Sequence, residues 1–138
     1  MDRRRRKGPT EYSGRMVKRC ILDTNAIIAL LQGRPVMESL PAVEWIGVSV
    51  VSILEFLSFP EIMPNDLKLL DKFLSRVTVI DLNFEDNPLI KLSVEIRKLH
   101  KLKLPDAIIA ATAIRNKAVL VTEDKHFLGV KNLKIVGW

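Results

Sequence analysis

Apolar positions along this chain come in two kinds, short solid runs and longer periodic stretches, and the two kinds alternate. Val17–Leu22, Gly47–Val51, Val77–Leu82, Ala118–Val121 and Leu133–Val136 are brief and mostly apolar, which predicts five buried strands. Helices are predicted between them. Ala26–Leu31 is stopped by Gly33-Arg34-Pro35, and a shorter helix covers Val36–Val43. Another opens at Ser52 and ends at Pro60, and Asp66–Ser75 carries Leu67, Leu70 and Leu74 on one face. Phe84–His100 has Leu89, Leu92, Ile96 and Leu99 in register, and Pro105 begins a helix running to Arg115. Strands that are apolar throughout, rather than alternating, belong to a mostly parallel sheet covered on both faces. The expected fold is therefore α/β, a three-layer α/β/α sandwich.

Length and composition narrow the class. The chain has 138 residues, 48% of them hydrophobic, enough for one domain with a substantial core. No apolar run approaches the ~20 residues that span a bilayer, and the basic run Arg3–Lys7 is not followed by the apolar stretch of a secretory signal. Cys20 is the one cysteine, which excludes an intrachain disulfide and a multi-cysteine zinc site. Its apolar surroundings predict a buried, inert thiol. A cytoplasmic protein with no membrane partner is expected.

The net charge of +6 changes the picture less than its size suggests. Residues 1–19 hold eight basic side chains against Asp2 and Glu11, which accounts for all of it. The remaining 119 residues carry 14 basic and 14 acidic side chains. Residues 1–15, with Gly8, Pro9, Ser13 and Gly14 among the arginines, read as a disordered basic leader. Met16 stands directly before the first apolar run, so the folded domain is expected over 16–138.

Four acids carry the candidate chemistry. Asp23 ends the first strand, Glu55 follows the second, Asp106 opens the helix after Leu104-Pro105, and Asp124 follows the fourth strand. Each also has a structural explanation. Asp23-Thr24-Asn25 can cap a helix, and Ser52-x-x-Glu55 has the spacing of a capping box. Asp106 is favoured by a helix dipole, and Thr122-Glu123-Asp124 fits turn chemistry. Taken together the four point elsewhere, because ligands of open parallel sheets gather at the carboxyl ends of the strands. Two carboxylates about 4 Å apart repel by roughly 4 kcal/mol at an effective dielectric near 20. Four acids meeting at that rim, as they do if the Asp106 helix starts there, must hold protons or a cation. Oxygen ligands without cysteine or paired histidines suit a hard ion, Mg2+ or Mn2+, which activates water against a phosphodiester.

The stretches Ile21–Asn25 (ILDTN), Val48–Glu55 (VSVVSILE), Leu104–Ala113 (LPDAIIAATA) and Leu120–Phe127 (LVTEDKHF) resemble, in their order, those of PIN domains. More narrowly, they resemble VapC-type toxins of toxin–antitoxin pairs. The resemblance covers residues 17–138, and the LPDAIIAATA segment followed by LVTED is its most specific part. It implies a divalent-metal ribonuclease acting on RNA, a homodimer, blocked by a small antitoxin protein. Asp23, Glu55 and Asp106 match the first three acids of the family, Thr122 its polar position and Asp124 its fourth acid. Many relatives place an acid directly before the phenylalanine, where this chain has His126. On this basis Asp23 and Asp106 are expected as direct metal ligands. Glu55 would hold a metal-bound water or act as general base, and Asp124 would complete the metal shell. Asn25 and Thr122 would orient these groups, or serve only as cap and turn residues.

Other features divide between function and packing. Lys101 and Lys103 are candidates for guiding phosphates, while Arg97, Lys98 and His100 suit a helix C-terminus. Lys125 and His126 flank Asp124 and are exposed turn residues by default. Trp45 and Trp138 are expected to pack rather than stack on bases. Met63, Leu67, Leu70 and Leu74 fit a dimer face or the core. Two further functions stay open: a PIN nuclease in RNA processing or decay without an antitoxin, and a catalytically silent RNA- or protein-binding module. Phosphotransfer through Asp23 is disfavoured, since the usual second aspartate two positions on is Asn25.

Overall fold

In the computed structural model, residues 17–40 and 42–138 are described. The expected leader over 1–15 lies outside them. Five strands form one wholly parallel sheet: β1 (Arg19–Leu22), β2 (Trp45–Ser49), β3 (Thr78–Ile80), β4 (Val119–Val121) and β5 (Ile135–Val136), in the order β3-β2-β1-β4-β5. The helices are α1 (Thr24–Leu31), α2 (Val50–Leu57), α3 (Pro64–Leu74), α4 (Asn87–His100) and α5 (Leu104–Arg115).

Side chains of successive strand residues point to opposite faces, and that alternation divides the core in two. Ile21, Leu120 and Ile135 pack with Leu89 and Ile96 of α4 and Ile109 of α5. Cys20, Leu22, Val119, Val121 and Val136 pack on the other side with Ile27 of α1, Phe56 of α2 and Leu70 of α3. The three-layer α/β/α sandwich expected from the apolar runs is the fold observed. Cys20 is fully buried, and desolvation pushes its thiol up to about 12, so the expectation of an inert thiol agrees with its setting.

Several boundaries differ from the expected ones for local reasons. Among the described residues between Pro35 and Val43 only a single 3-10 turn forms, Met37–Ser39, in place of the helix Val36–Val43. α4 begins at Asn87 rather than Phe84, because Asp86 accepts the Leu89 N–H and Pro88 sits in the first turn. α2 begins two residues before Ser52, at Val50, with Ser49 as its cap: the Ser49 hydroxyl accepts the Val51 N–H at 3.1 Å. The capping-box reading of Ser52-x-x-Glu55 is therefore wrong. Leu70 is buried and Leu74 packs on the core, while Met63 and Leu67 of the same stripe stay exposed.

Two features of this topology position the site. Strand order reverses at β1, which has β2 on one side and β4 on the other, so the crevice typical of such a switch opens beyond the carboxyl ends of β1 and β4. The chain also crosses the molecule between β3 and α4. Arg115 at the end of α5 pairs with Asp86 at the start of α4 at 3.1 Å, so the two helices run antiparallel. α4 thus returns to the rim of strand carboxyl ends, and α5 starts there.

Candidate active site

Asp23 is the residue directly after β1, and it has two local tasks. Its Oδ1 accepts the Ala26 N–H at 2.7 Å and so caps α1. Its Oδ2 accepts a hydrogen bond from the Thr122 hydroxyl, one residue beyond β4. Its own N–H donates to the Val121 carbonyl at 3.2 Å, so the chain after β1 stays registered on β4. The side chain is only 5% exposed. Burial, with smaller repulsion from Asp124 and Asp106, pushes its pKa up to about 6, against the lowering effect of the Thr122 and Ala26 hydrogen bonds.

The other three acids reach the same place from three further elements. Glu55, nearly two turns into α2, accepts the Thr24 hydroxyl at 2.5 Å. Asp106 lies in the first turn of α5, and its pKa is raised by partial burial first and then by Glu55 and Asp124, partly offset by Lys103 and His126. Asp124 caps the 3-10 turn Lys125–Phe127 by accepting the His126 N–H at 2.8 Å, and its own N–H donates to the Thr122 hydroxyl at 2.9 Å. The His126 ring Nδ1 stands 2.8 Å from the same Asp124 oxygen. His126 thus fastens the Asp124 carboxylate through both its backbone N–H and its ring.

Asp23, Thr24, Asn25, Glu55, Phe59, Lys103, Asp106 and Asp124 line one pocket of about 270 Å³. All four acids singled out in the sequence are brought together here. Lys103 joins them, whereas Lys101 ends α4 in a left-handed conformation and is absent from the lining. Thr122 holds Asp23 and Asp124 as expected of an orienting residue, and Asn25 lines the pocket. Thr24 was missed as a partner of Glu55. Its neighbour Asp23 draws attention as the acid, and nothing in the local spacing ties Thr24 to a glutamate 31 positions away.

Among the described residues no three histidine, cysteine, aspartate or glutamate side chains stand close enough together to form a ready-made metal cage. The donor chemistry nevertheless fits one hard ion. Mg2+ takes only one or two carboxylates and leaves its other positions to water and phosphate oxygens, so it needs an open acidic pocket rather than a closed cage. Asp23 and Asp106, with raised pKa values caused in part by other acids, are the groups whose ionised forms a cation would stabilise.

The site combines carboxylates at the strand rim with a lysine at its edge, and the chain that carries it is similar in sequence and architecture to known proteins. A family model of the PIN domain matches residues 20–133. Among curated protein sequences none matches the chain. Among solved structures, VapBC2 from Rickettsia felis, bound to a DNA fragment from its promoter, contains a similar chain. The TM-score is 0.72 and the identity 25%, covering 87% of this chain and 98% of that one. A toxin–antitoxin complex from Klebsiella pneumoniae gives 0.68 and 27%, covering 85% and 95%. VapBC-1 from nontypeable Haemophilus influenzae gives 0.70 and 23%, covering 87% and 98%, a likeness of fold. With the match spanning every strand from β1 to β4 and every helix, this chain belongs to the PIN domain family.

Proposed function

We propose that this chain is a divalent-metal-dependent endoribonuclease and the toxin of a type II toxin–antitoxin pair, working in the cytoplasm. The observation that carries the reading is the convergence of Asp23, Glu55, Asp106 and Asp124, from four separate segments, on one pocket edged by Lys103. Asp23 and Asp106 would hold Mg2+ or Mn2+, with Asp124 completing the shell. When bound, such an ion supplies an activated water and neutralises charge developing on the phosphodiester.

The chain's own residues do the rest. Thr122 fixes the Asp23 carboxylate and Thr24 that of Glu55, so the two acids present defined oxygen positions. Glu55 orients the attacking water or takes its proton. Lys103 meets the negative charge of the phosphate chain at the pocket's edge.

An antitoxin partner is supported by the kinship with toxin–antitoxin complexes and by an apolar groove beside the site. Ile28, Leu31, Phe56, Phe59 and Ile62 line a cavity of about 330 Å³ between α1, α2 and the segment before α3. Phe59 in its lining is exposed, and so are Leu54, Leu57 and Met63 in the adjoining stretch of chain, which suits an amphipathic helix of a partner chain. A homodimer is part of the same reading.

Incubation of the purified chain with single-stranded RNA and Mg2+ or Mn2+ tests the proposal, beside Asp23→Asn and Asp106→Asn. Cleavage that EDTA stops and both substitutions abolish is expected, a fall of at least 100-fold in rate on the scale of lost metal ligation and general-base function. Cleavage persisting in both variants would overturn the assignment of these acids.

A further inference from the structure

The rim of strand carboxyl ends extends past the acidic pocket. In the order β1-β4-β5, Asp23 follows β1, Asp124 stands three residues beyond β4, and Gly137 and Trp138 follow β5. The Thr122 N–H donates to the Val136 carbonyl at 3.0 Å, so the segment after β5 stays beside the one that carries Asp124. Asn25, Ile28, Arg34, Glu123, Asp124 and Trp138 line a second cavity there, of about 580 Å³. Asn25 and Asp124 line the acidic pocket as well, so the two cavities adjoin through a common wall. The acidic pocket, at about 270 Å³, is smaller than the roughly 300–1,000 Å³ of sites that enclose a small molecule. It suits a reacting phosphate and an ion, and leaves the neighbouring nucleotides to be held elsewhere.

Each wall of the second cavity has a local cause. Asn25, Ile28 and Ala29 lie three and four positions apart on one face of α1. That helix ends in a Schellman motif: the Gly33 N–H donates to the Leu30 carbonyl and the Arg34 N–H to the Ala29 carbonyl, both at 3.0 Å, with Gly33 at a left-handed φ of 82°. The residue in the place of Arg34 commonly makes an apolar contact back onto the helix. Here it is an exposed arginine whose guanidinium has no hydrogen bond or ion pair among the described residues. The helix dipole favours a cation at this end, which accounts for its charge and not for the cavity it lines. Trp138 is fixed through its backbone, its N–H donating to Glu123 Oε2 at 2.5 Å. Gly137 permits that approach, since a Cβ there would stand 2.7 Å from the same oxygen. The indole packs on the α1 side of the core, and its ring N–H is buried without a partner among the described residues. Packing, the role expected of Trp138, therefore accounts for part of the ring and leaves the part that lines the cavity.

We propose that this cavity seats the base of the RNA nucleotide next to the scissile phosphate, laid against the Trp138 ring, with Arg34 and Asn25 donating to its edge. The inference rests on the ribonuclease reading and extends it from the reacting phosphate to its neighbour. An unstacked base presents a flat face and a rim of acceptors and donors, which an indole, a guanidinium and an amide match. The seat suits an uncharged base rather than a further phosphate, because Glu123 and Asp124 offset the charge of Arg34. Glu123 is tied to the Trp138 N–H and Asp124 to His126, which leaves Arg34 and Asn25 as the groups without a partner. The apolar groove that shares Ile28 carries Glu61 and Asp66 and no cation, so it is the poorer place for RNA.

The test follows Trp138 emission in the full chain with Trp45→Phe, which leaves one tryptophan, in EDTA to keep RNA intact. The probe is the dinucleoside monophosphate ApA, and ribose 5-phosphate is the arm with sugar and phosphate but no base. Saturable quenching by ApA, none by ribose 5-phosphate, and at least threefold weaker binding of ApA in Arg34→Gln are expected. In the chain that keeps Trp45, Trp138→Leu should weaken binding of a labelled single-stranded RNA roughly 5- to 150-fold, the range of one base stacked on an aromatic ring. Trp138→Tyr, which keeps a ring, should recover most of that loss, whereas a purely packing role favours the leucine. If Trp45→Phe unfolds, the parent is titrated beside Trp138→Leu, and quenching that survives the loss of Trp138 overturns the proposal. Absent quenching, equal quenching by ribose 5-phosphate, or RNA binding indifferent to Trp138→Leu would overturn it too. Quenching by ApA in a chain that cleaves no RNA with Mn2+ keeps the seat and fails the nuclease reading; cleavage without quenching fails the seat alone.

Discussion

The Asp23 carboxylate meets opposing demands. As the cap of α1 and the acceptor from Thr122 it works best ionised, yet it is 5% exposed and faces other acids. Desolvation wins, and its pKa rises from 3.8 to about 6. In the metal-free chain the native state therefore holds this proton more tightly than the unfolded state does. The stabilising contribution is fully present below pH 3.8 and is lost as the pH rises through about 6. At about 1.4 kcal/mol per unit, roughly two units correspond to about 3 kcal/mol. Asp23→Asn keeps an acceptor for Ala26 and removes the charge. In EDTA at pH 7.5 its urea midpoint is expected to exceed that of the parent, and its stability should change less between pH 4 and 6. An identical pH slope in the two proteins would contradict a buried, repelled carboxylate at this position. The residues of the pocket were legible in the sequence to different degrees. Asp23 and Asp106 stand out because an acid interrupts apolar surroundings at an element boundary. Thr24 does not, since a threonine beside a turn looks the same whether it caps a helix or holds a carboxylate across the sheet, and Thr122 was reached through the family resemblance rather than through its own surroundings.

At the scale of elements, strand and helix identities followed from the apolar runs, while boundaries turned on single side chains. The segment Val48–Glu55 holds two serines three positions apart, and either can cap a helix. Valines on both sides favour strand and buried helix equally, so the pattern does not decide between them. Packing does: β2 ends at Ser49, whose hydroxyl accepts the Val51 N–H, and Ser52 is carried into the buried face of α2. Glu55 then lies too far along the helix to reach the cap amide and turns to Thr24 instead. The two serines should respond differently to the same change. Ser49→Ala is expected to cost about 1 kcal/mol through the lost cap. The Ser52 hydroxyl is buried without a hydrogen-bond partner among the described residues, so Ser52→Ala should be neutral or stabilising by up to about 1 kcal/mol. Chemical denaturation of both variants checks this, and a larger loss at Ser52 than at Ser49 would restore the capping-box reading.

The whole molecule shows what local pattern leaves out. Nothing in the apolar runs orders five strands as β3-β2-β1-β4-β5, or sends residues 81–86 across the molecule so that α5 starts at the acidic rim. Convergence of the four acids was therefore conditional on the start of α5 until topology placed it, and the family resemblance carried that step in the sequence. The same topology predicts how an ion would act on stability. Asp23 follows β1, Glu55 lies in α2, Asp106 in α5 and Asp124 after β4, so a cation held among them ties together segments 101 positions apart in the chain. A ligand that binds only the native state stabilises it by about 2.7 kcal/mol at one hundred times its dissociation constant. For a domain of this size each kcal/mol moves the melting temperature by about 4 °C, so saturating Mn2+ should raise it by roughly 10 °C. Asp106→Asn should abolish most of the rise while leaving the metal-free melting temperature close to that of the parent, and sodium chloride of equal ionic strength should not reproduce it. Because the measurement needs no substrate, it also separates the enzyme from a silent binding module built on the same fold. A chain whose melting is indifferent to Mn2+ has acids that hold protons rather than an ion, and the His126 corner would then mark a site that has given up its metal.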